Sequence, residues 1–308
     1  MVPVTLYAEF FGLDRRPFTL VPDPDVLFWA PQHQRAYSVL EYGILACAPV
    51  TLLTGEIGAG KTTLLRVLLD ALGDSITAGL ISNAQGGRGE LMAWVLAAFG
   101  LPFAGGESQV TLFHRLQDFL VAEYAAGRRV VLILDEAQNL SEAALEDIRM
   151  LTNINSGQDE LIQLILAGQP ELRDAIQAPA MRQLAQRVVA SFHLGPLAPD
   201  DTAAYVAHRL RHAGGTGAEF TPEALAAIHA ATGGLPRLVN QLCDFALLYA
   251  WSVEQPRVEA ETVATVLAEG VFFAAGAPIA TPIAAPHAPA PHAPTPGGDV
   301  VTLARSSR

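Results

Sequence analysis

The 308-residue sequence contains only two cysteines, Cys47 and Cys243. They are far apart, and neither belongs to a CxxC pair or to a cysteine and histidine spacing typical of zinc sites. Neither a disulfide framework nor a structural zinc site is therefore supported. We expect both side chains to be buried free thiols.

Long apolar runs are also missing, although 51% of the residues are hydrophobic. The longest runs, residues 130–134 and 161–167, are far shorter than the roughly 20 residues that a membrane-spanning helix needs. Residues 1–18 carry four charged side chains where a secretion signal would be apolar. We therefore expect no transmembrane helix and no export. The predicted location is the cytoplasm, with peripheral attachment to the inner membrane as a further expectation.

Positive charge is scarce. The sequence has 19 lysine and arginine residues against 31 aspartate and glutamate residues, and its formal net charge is −12. Such an average field repels polyanions, so wholesale non-specific binding of nucleic acid is disfavoured. A local basic patch would still be compatible with this charge.

Composition predicts three parts. Residues 1–198 alternate short β-branched or leucine-rich runs with amphipathic stretches, which predicts an α/β domain with a parallel sheet. Residues 199–272 have apolar residues at three- and four-residue spacing and predict a small helical domain, whose first helix we expect Asp200 or Asp201 to cap. Residues 273–308 are rich in proline, alanine and histidine and predict a disordered tail.

Five strands are predicted within the α/β part. Their apolar runs are nearly continuous, which is typical of strands that are covered by helices on both faces of a parallel sheet. They span residues 50–54, 76–82, 130–134, 161–167 and 188–194.

A glycine-rich segment follows the first predicted strand and opens a helix. It matches the pattern G-x-x-x-x-G-K-[ST], in which backbone N–H groups and a helix N-terminus bind phosphate groups. We expect Lys61 to reach the β- and γ-phosphates of a nucleoside triphosphate, most simply ATP, and Thr62 to supply a hydroxyl to Mg²⁺. The segment consists of Gly55, Glu56, Ile57, Gly58, Ala59, Gly60, Lys61, Thr62 and Thr63.

Two carboxylates follow the third predicted strand. Asp135 and Glu136 come directly after residues 130–134, so they should emerge at the carboxyl edge of the sheet, where open α/β sheets bind ligands. We expect Asp135 to hold Mg²⁺ through its water shell and Glu136 to polarise the attacking water. A glutamate at this position predicts hydrolysis of the nucleotide rather than binding alone.

These motifs and their surroundings resemble the AAA+ ATPases of the ExeA family, also called general secretion pathway protein A. The likeness is carried by Ala137-Gln138-Asn139-Leu140-Ser141 after Glu136 and by the sequence LILAGQPEL at residues 164–172. The opening segment Tyr7-x-x-Phe10-Phe11-Gly12-Leu13, continued to His33, is similar as well. The resemblance covers roughly residues 6–268 and concerns the ATPase module only.

The resemblance implies further site residues. Gln169 corresponds to a polar sensor that reads the γ-phosphate and helps to orient water. Arg187 corresponds to an arginine finger that completes the site of a neighbouring subunit, with Arg182 as the alternative. Arg237, which follows Gly233-Gly234-Leu235-Pro236, corresponds to a second sensor that reaches the γ-phosphate from the helical lid.

The aromatic residues near the N-terminus have two interpretations. Phe11 and Phe18, together with Pro31, are candidates for walls around the adenine ring. Packing into the protein core is the alternative for each of them.

The function expected from the resemblance is that of an ATP- and Mg²⁺-dependent ATPase that forms a nucleotide-dependent homo-oligomer, with a hexamer as one expectation. It would drive or regulate the assembly of a secretion or exopolysaccharide apparatus and would bind a protein partner there. Two alternatives stay open. One is a DNA-binding AAA+ ATPase of the transposition-helper type, and the other is an adaptor that binds ATP without turnover.

Overall fold

The computed structural model describes residues 7–21, 24–82, 90–157 and 159–272, which belong to one compact unit. The predicted disordered tail, residues 273–308, lies outside the described residues. Within the described residues, no helix is both long and apolar enough to span a bilayer.

A parallel five-stranded sheet is the centre of the structure. Its strands are β1 (Val50–Gly55), β2 (Ile76–Ile81), β3 (Arg129–Leu134), β6 (Gln163–Gly168) and β7 (Val188–Leu194), in the spatial order β2-β3-β6-β1-β7. A small antiparallel hairpin, β4 (Asn155–Ser156) and β5 (Asp159–Glu160), forms a separate sheet.

Helices connect and cover the strands. The helices before the last strand are α1 (Pro31–Leu45), α2 (Lys61–Ala71), α3 (Leu91–Ala98), α4 (Gln109–Ala125), α5 (Glu142–Leu151), α6 (Pro170–Gln177) and α7 (Arg182–Ala185). Those after it are α8 (Pro199–His212), α9 (Pro222–Thr232), α10 (Pro236–Ser252) and α11 (Ala260–Ala268). Short 3-10 turns occur at Pro24–Val26, Ala137–Asn139 and Pro179–Met181.

The predicted fold class and the five predicted strands are confirmed. The fourth strand begins at Gln163 instead of residue 161. Leu161 and Ile162 are buried in the core but lie before the residues that pair with the neighbouring strands. Full burial on both faces holds for β1 and β6 but not for β7. In that edge strand only Ala190 and Leu194 are buried, since one of its sides has no neighbouring strand.

Two apolar cores lie on the two faces of the sheet, because successive side chains of a strand point in opposite directions. Leu132 and Leu164 belong to one core, which includes residues of α3, α4 and α5. Val131, Ile133 and Ile165 belong to the other, which includes residues of α1 and α2. Helices thus cover both faces and leave the carboxyl edge of the sheet free for a ligand.

The helices α8 to α11 have an apolar core of their own, and the N-terminal segment (residues 7–21) packs into it. Phe18 is almost fully buried and meets Phe220 edge-to-face at 6.1 Å. The predicted division at residue 198 had placed this segment with the sheet. Its aromatic side chains are instead part of the helical core, so of the two interpretations of Phe11 and Phe18 the structure shows packing into a core.

Two smaller expectations are also corrected. Helix α8 starts at Pro199 after Ala198, and no side chain caps it. Asp200 and Asp201 lie in its first turn, where their charge complements the positive end of the helix dipole. Cys243 is buried as expected, whereas Cys47 is exposed in the turn after α1.

Candidate functional site

Three neighbouring strands bring the predicted motifs together. The glycine-rich segment follows β1, Gln169 follows β6, and Asp135 and Glu136 follow β3. In the sheet β6 lies between β3 and β1, and all three run in the same direction. The strand order therefore places these residues at one edge, although up to 114 positions separate them in the sequence.

The P-loop (residues 55–62) has a backbone that requires glycine at several positions. Gly58 and Gly60 have positive φ values of 80° and 104°, which only glycine adopts without strain. An added Cβ at Gly55 would lie 2.4 Å from the carbonyl oxygen of Leu194, so the loop also needs glycine where it leaves the sheet. Within the loop Ala59 is buried, whereas Glu56 and Ile57 are exposed.

Lys61, the only lysine of the chain, begins α2 and folds back over the loop. Its Nζ donates to the carbonyl oxygens of Gly55 at 2.7 Å and Glu56 at 3.0 Å. Burial lowers the pKa of this ammonium group, and the nearby charges of Glu136 and Asp135 act in the opposite direction. The result is a buried cation whose partners are carbonyl groups, which a phosphate oxygen could replace.

Thr62 and Asp135 link the two motifs directly. The Thr62 hydroxyl donates to Asp135 Oδ2 at 2.6 Å, across 73 positions of the sequence. Burial raises the pKa of the Asp135 carboxyl, while the bonds from Thr62 and from the backbone N–H of Glu136 lower it. A hydroxyl and a carboxylate at this distance fit Mg²⁺, which prefers oxygen ligands. These two residues would hold the ion.

Glu136 lies at the floor of a cleft that also includes Lys61, Thr62 and Thr63. Its backbone is left-handed, with φ 55° and ψ 36°, which is uncommon for a residue with a Cβ. The chain turns sharply after β3 at this point, and the Glu136 carboxylate accepts a hydrogen bond from Gln138 Nε2 at 2.7 Å.

The other wall of the cleft comes from the helical part and the segment before α1. Arg237, in the first turn of α10, lines the cleft, and its backbone N–H donates to Gly58 O at 3.3 Å. An added Cβ at Gly58 would lie 2.3 Å from the Arg237 Cβ. The predicted second sensor therefore contacts the P-loop directly.

Comparisons with known proteins agree with this geometry. Residues 47–176 match a family model described as AAA domain. Over 247 residues the chain is 41% identical to general secretion pathway protein A of Aeromonas hydrophila. The aligned region covers 80% of this chain and 45% of that protein. The chain carries an ExeA-like AAA ATPase module. It spans less than half the length of this relative.

Solved structures show the same fold as the module at low sequence identity. Cdc6p from Pyrobaculum aerophilum has a TM-score of 0.64 and 17% identity, over 84% of this chain and 72% of that one. The ORC2 protein of Aeropyrum pernix, solved as ADPNP and ADP complexes, has a TM-score of 0.61 and 18% identity, over 83% of this chain and 72% of that one. The P-loop NTPase fold of the module is thereby confirmed.

Two predicted arginines lie away from the cleft of the module. Arg187 precedes β7, whose first residue pairs with Val50, so it lies at the amino edge of the sheet, opposite the P-loop. Its guanidinium donates to Glu160 Oε1 at 3.1 Å and to Asn153 Oδ1 at 2.6 Å. Arg182 is exposed at the start of α7. Neither arginine lines the cleft of its own chain, which is compatible with a role in a neighbouring subunit.

Gln169 is only partly where its predicted role would place it. It lies at the right strand end, between β6 and α6, but its side chain is not among those that line the cleft. Its backbone N–H donates to Gln138 Oε1 at 3.0 Å. Contact between Gln169 and a γ-phosphate stays a prediction.

Sequence reasoning did not single out His33 as part of the site. Its ring is buried in the cleft wall, and Nε2 lies 3.1 Å from the carbonyl oxygen of Ala59. A carbonyl oxygen only accepts, so Nε2 carries the proton, and burial lowers the pKa of the ring. His33 thereby supports the P-loop from α1. The family resemblance includes His33 in its opening segment, but nothing in the sequence relates this residue to Ala59, 26 positions later.

Two polar residues of the helical part were missed for the same reason. Arg209 and Asn240 are buried in the cleft wall and donate to the carbonyl oxygens of Pro17, at 2.7 Å, and Thr19, at 3.2 Å, respectively. These contacts tie the N-terminal segment to α8 and α10. Without the fold, nothing relates positions that lie about 200 residues apart.

Proposed function

We propose that the chain is a Mg²⁺-dependent ATPase that hydrolyses ATP in the cleft between the sheet edge and the helical part. The observation that carries this proposal is that Lys61, Thr62 and Glu136 line one cleft and that Thr62 donates to Asp135. A glycine-lined anion site, a pair of oxygens suited to a cation and a carboxylate that lines the cleft together supply what phosphoryl transfer to water requires. An adaptor that only binds ATP would not need Glu136.

Each of these residues has a separate task. Lys61 would exchange the carbonyl oxygens of Gly55 and Glu56 for oxygens of the β- and γ-phosphates. Thr62 and Asp135 would hold Mg²⁺, which when bound neutralises the charge that develops on the transferred phosphoryl group. Glu136 would orient the attacking water and accept its proton.

Arg237 would close the site from the helical part. Its backbone N–H bonds to Gly58 and the residue lines the cleft, which supports a contact of its side chain with the terminal phosphate. An arginine at this position would bind the triphosphate more tightly than the diphosphate, so that loss of the γ-phosphate loosens the helical part from the sheet edge. Gln169 is kept as the predicted first sensor.

The test of this proposal is the Glu136→Gln variant. The amide keeps the shape of the side chain but cannot accept the proton, so turnover should fall by about 10²- to 10⁴-fold, as is typical when a general base is removed. The Kd for Mg-ATP should stay within about threefold of the wild type. Phosphate release and equilibrium titration are the two measurements.

A matched control is Glu223→Gln, which makes the same change at an exposed position in the first turn of α9. It should leave both quantities unchanged. Undiminished phosphate release by purified Glu136→Gln would contradict the role of Glu136, and wild-type protein that binds Mg-ATP but releases no phosphate would favour the adaptor alternative.

Hydrolysis is proposed to depend on assembly into a homo-oligomer. An arginine that acts in a neighbouring site must leave the contacts it has in its own subunit. Arg187 would have to give up its bonds to Glu160 and Asn153, whereas Arg182, within the described part of the chain, makes no ion pair. Both residues stay candidates, and only Arg187 would have to break bonds within its own subunit.

Alanine variants distinguish the two arginines. The variant that removes the trans-acting group should lose the part of the turnover that rises with protein concentration, by about 10³-fold or more, and should bind Mg-ATP normally. Arg187→Ala should also lower the Tm, because Glu160 loses its partner. Arg182→Ala should not change the Tm.

The name of the relative suggests the biological setting. General secretion pathway protein A is named for secretion, and we propose that this module drives or regulates the assembly of a secretion or exopolysaccharide apparatus through a protein partner. Cells carrying Glu136→Gln in place of the native residue should lose secretion or surface polysaccharide. Unchanged levels of both would contradict the proposal. The net charge of −12 disfavours the DNA-binding alternative.

A further inference from the structure

Gln138 occupies a special position beside the proposed general base. It lies in the 3-10 turn Ala137–Asn139, directly after the left-handed Glu136. A left-handed residue with a Cβ costs about 1 kcal/mol or more, so the surrounding contacts must hold this turn in place. The turn brings the Gln138 side chain back toward the end of β6.

Both ends of the Gln138 amide are engaged. Its Nε2 donates to Glu136 Oε2 at 2.7 Å, and its Oε1 accepts from the backbone N–H of Gln169 at 3.0 Å. The orientation of the amide follows from its partners, because a carboxylate can only accept and a backbone N–H can only donate. Glutamine is suited to this place since it offers one donor group and one acceptor.

Gly168 provides the room for this arrangement. An ideal Cβ at Gly168 would lie 2.7 Å from Gln138 Oε1 and 2.8 Å from Leu172 Cδ2. Its φ is not in the left-handed region, so the backbone itself does not require glycine. The close approach of Gln138 and Leu172 therefore explains the absence of a side chain at Gly168.

We propose that Gln138 is a positioning residue that fixes the Glu136 carboxylate and couples it to the end of β6. This inference rests on the proposed ATPase function. Glu136 lines the cleft, whereas Gln138 is not among the lining side chains, so Gln138 acts through Glu136. Any displacement of the segment at Gln169 is transmitted through one side chain to the group that orients the attacking water.

Two substitutions separate the two hydrogen bonds. Gln138→Glu keeps an oxygen for the N–H of Gln169 but replaces the donor to Glu136 with a second carboxylate. Gln138→Met preserves the length of the side chain and removes both bonds. For both variants we expect kcat to fall about ten- to a hundredfold, since a small misplacement of a reacting group has effects of this size. The KM for Mg-ATP should stay within about twofold.

A readout that does not depend on hydrolysis comes from amide hydrogen exchange in nucleotide-free protein. The backbone N–H of Gln169 should be protected in the wild type and in Gln138→Glu, and should exchange faster in Gln138→Met. Gly168→Ala should show the same faster exchange and the same fall in kcat, because it displaces the Gln138 amide. Gln177→Glu, at the exposed end of α6, is the matched control and should change neither quantity.

The outcomes are distinct. Wild-type kcat in folded Gln138→Glu and Gln138→Met, with turnover present in the wild type, overturns the positioning role and leaves the ATPase proposal standing. Equal exchange of the Gln169 amide in the wild type and Gln138→Met also overturns it. A wild-type protein without turnover contradicts the proposed function instead, and the exchange experiment still tests the contact.

Discussion

The carboxyl edge of the sheet and the helical part form two walls of the cleft, and different kinds of contact bring their residues into place. At the sheet edge the P-loop follows β1 and Asp135 follows β3, so the strand order and one short loop bring Thr62, at the start of α2, into contact with Asp135. The helical part reaches its position through contacts with the N-terminal segment, such as that of Asn240 with Thr19 across 221 positions.

This difference suggests separate roles for the two regions. In the proposed function, the sheet edge would supply the groups that bind phosphate, hold a cation and activate water. The helical part and the N-terminal segment are tied into one body by the ion pair of Arg16 with Asp244, the hydrogen bond from Tyr7 to Asp244, and the bonds from Arg209. Changes at the sheet edge should therefore affect binding and turnover, whereas changes in the helical part away from Arg237 should mainly affect stability.

The largest effect is expected from Lys61→Ala at the sheet edge. Truncating a buried charge that contacts an anion typically costs about 2 kcal/mol or more, so the Kd for Mg-ATP should rise at least about thirtyfold. Titration with Mg-ATP measures this, and the Tm of the nucleotide-free variant serves as a check on folding. An unchanged Kd would mean that the sheet edge does not hold the phosphates.

The contact between the two sides is tested by Gly58→Ala. Its φ of 80° and the close approach to the Arg237 Cβ oppose any side chain. A strain of about 1–2 kcal/mol should weaken Mg-ATP binding about tenfold. Gly73→Ala is the matched control, because nothing lies within 4 Å of its added Cβ and its φ is ordinary. Equal affinities of the two variants for Mg-ATP would show that nucleotide binding does not depend on the contact between Gly58 and Arg237.

A smaller effect on nucleotide, but a clear one on stability, is expected from Asn240→Ala. The buried side chain accepts from the Tyr205 hydroxyl at 2.8 Å and donates to Thr19 O. Leaving buried partners unpaired costs about 1–3 kcal/mol of the free energy of unfolding, measurable by urea denaturation. Asn155→Ala, at an exposed position in the hairpin, should cost little. If Asn240→Ala lost more free energy of Mg-ATP binding than free energy of unfolding, the role of Asn240 would be in binding and not in stability.

The smallest effect concerns Glu123, which lies far from both sides of the cleft. Hydrogen bonds from Arg128 and then from Thr77 lower the pKa of its carboxyl to about 2. A lowered folded-state pKa stabilises the protein above the ordinary value of 4.5, and this contribution is lost as the pH falls toward about 2. The difference in Tm between the wild type and Glu123→Gln should shrink across that window.

The Glu123→Gln variant should bind Mg-ATP as the wild type does at neutral pH. A changed Kd would show that stability and binding are not separable in this chain. The size of the Tm difference should also fall with added salt, because the Arg128 partner is solvent-exposed and screened.

Much of the sheet edge was predictable from the sequence because each motif is local. The P-loop needs glycines at fixed spacing before Lys61 and Thr62, and the acidic pair needs only a buried run before it. The prediction was wrong for Cys47, since whether a residue in a turn faces solvent depends on what packs over the turn. It left two alternatives open for Phe18, because an aromatic ring suits a ligand wall and a core equally well.

The sequence by itself determined the strands, the phosphate-binding loop and the two carboxylates, because backbone conformation and strand burial depend on neighbouring residues. Tertiary structure alone decided that Gln138 joins Glu136 to Gln169, that His33 supports the P-loop, and that the N-terminal segment belongs to the helical core. These contacts join residues whose side chains meet only after the chain has folded. No local preference specifies such partners, since hydrogen bonding and apolar packing are satisfied equally well by many other pairs.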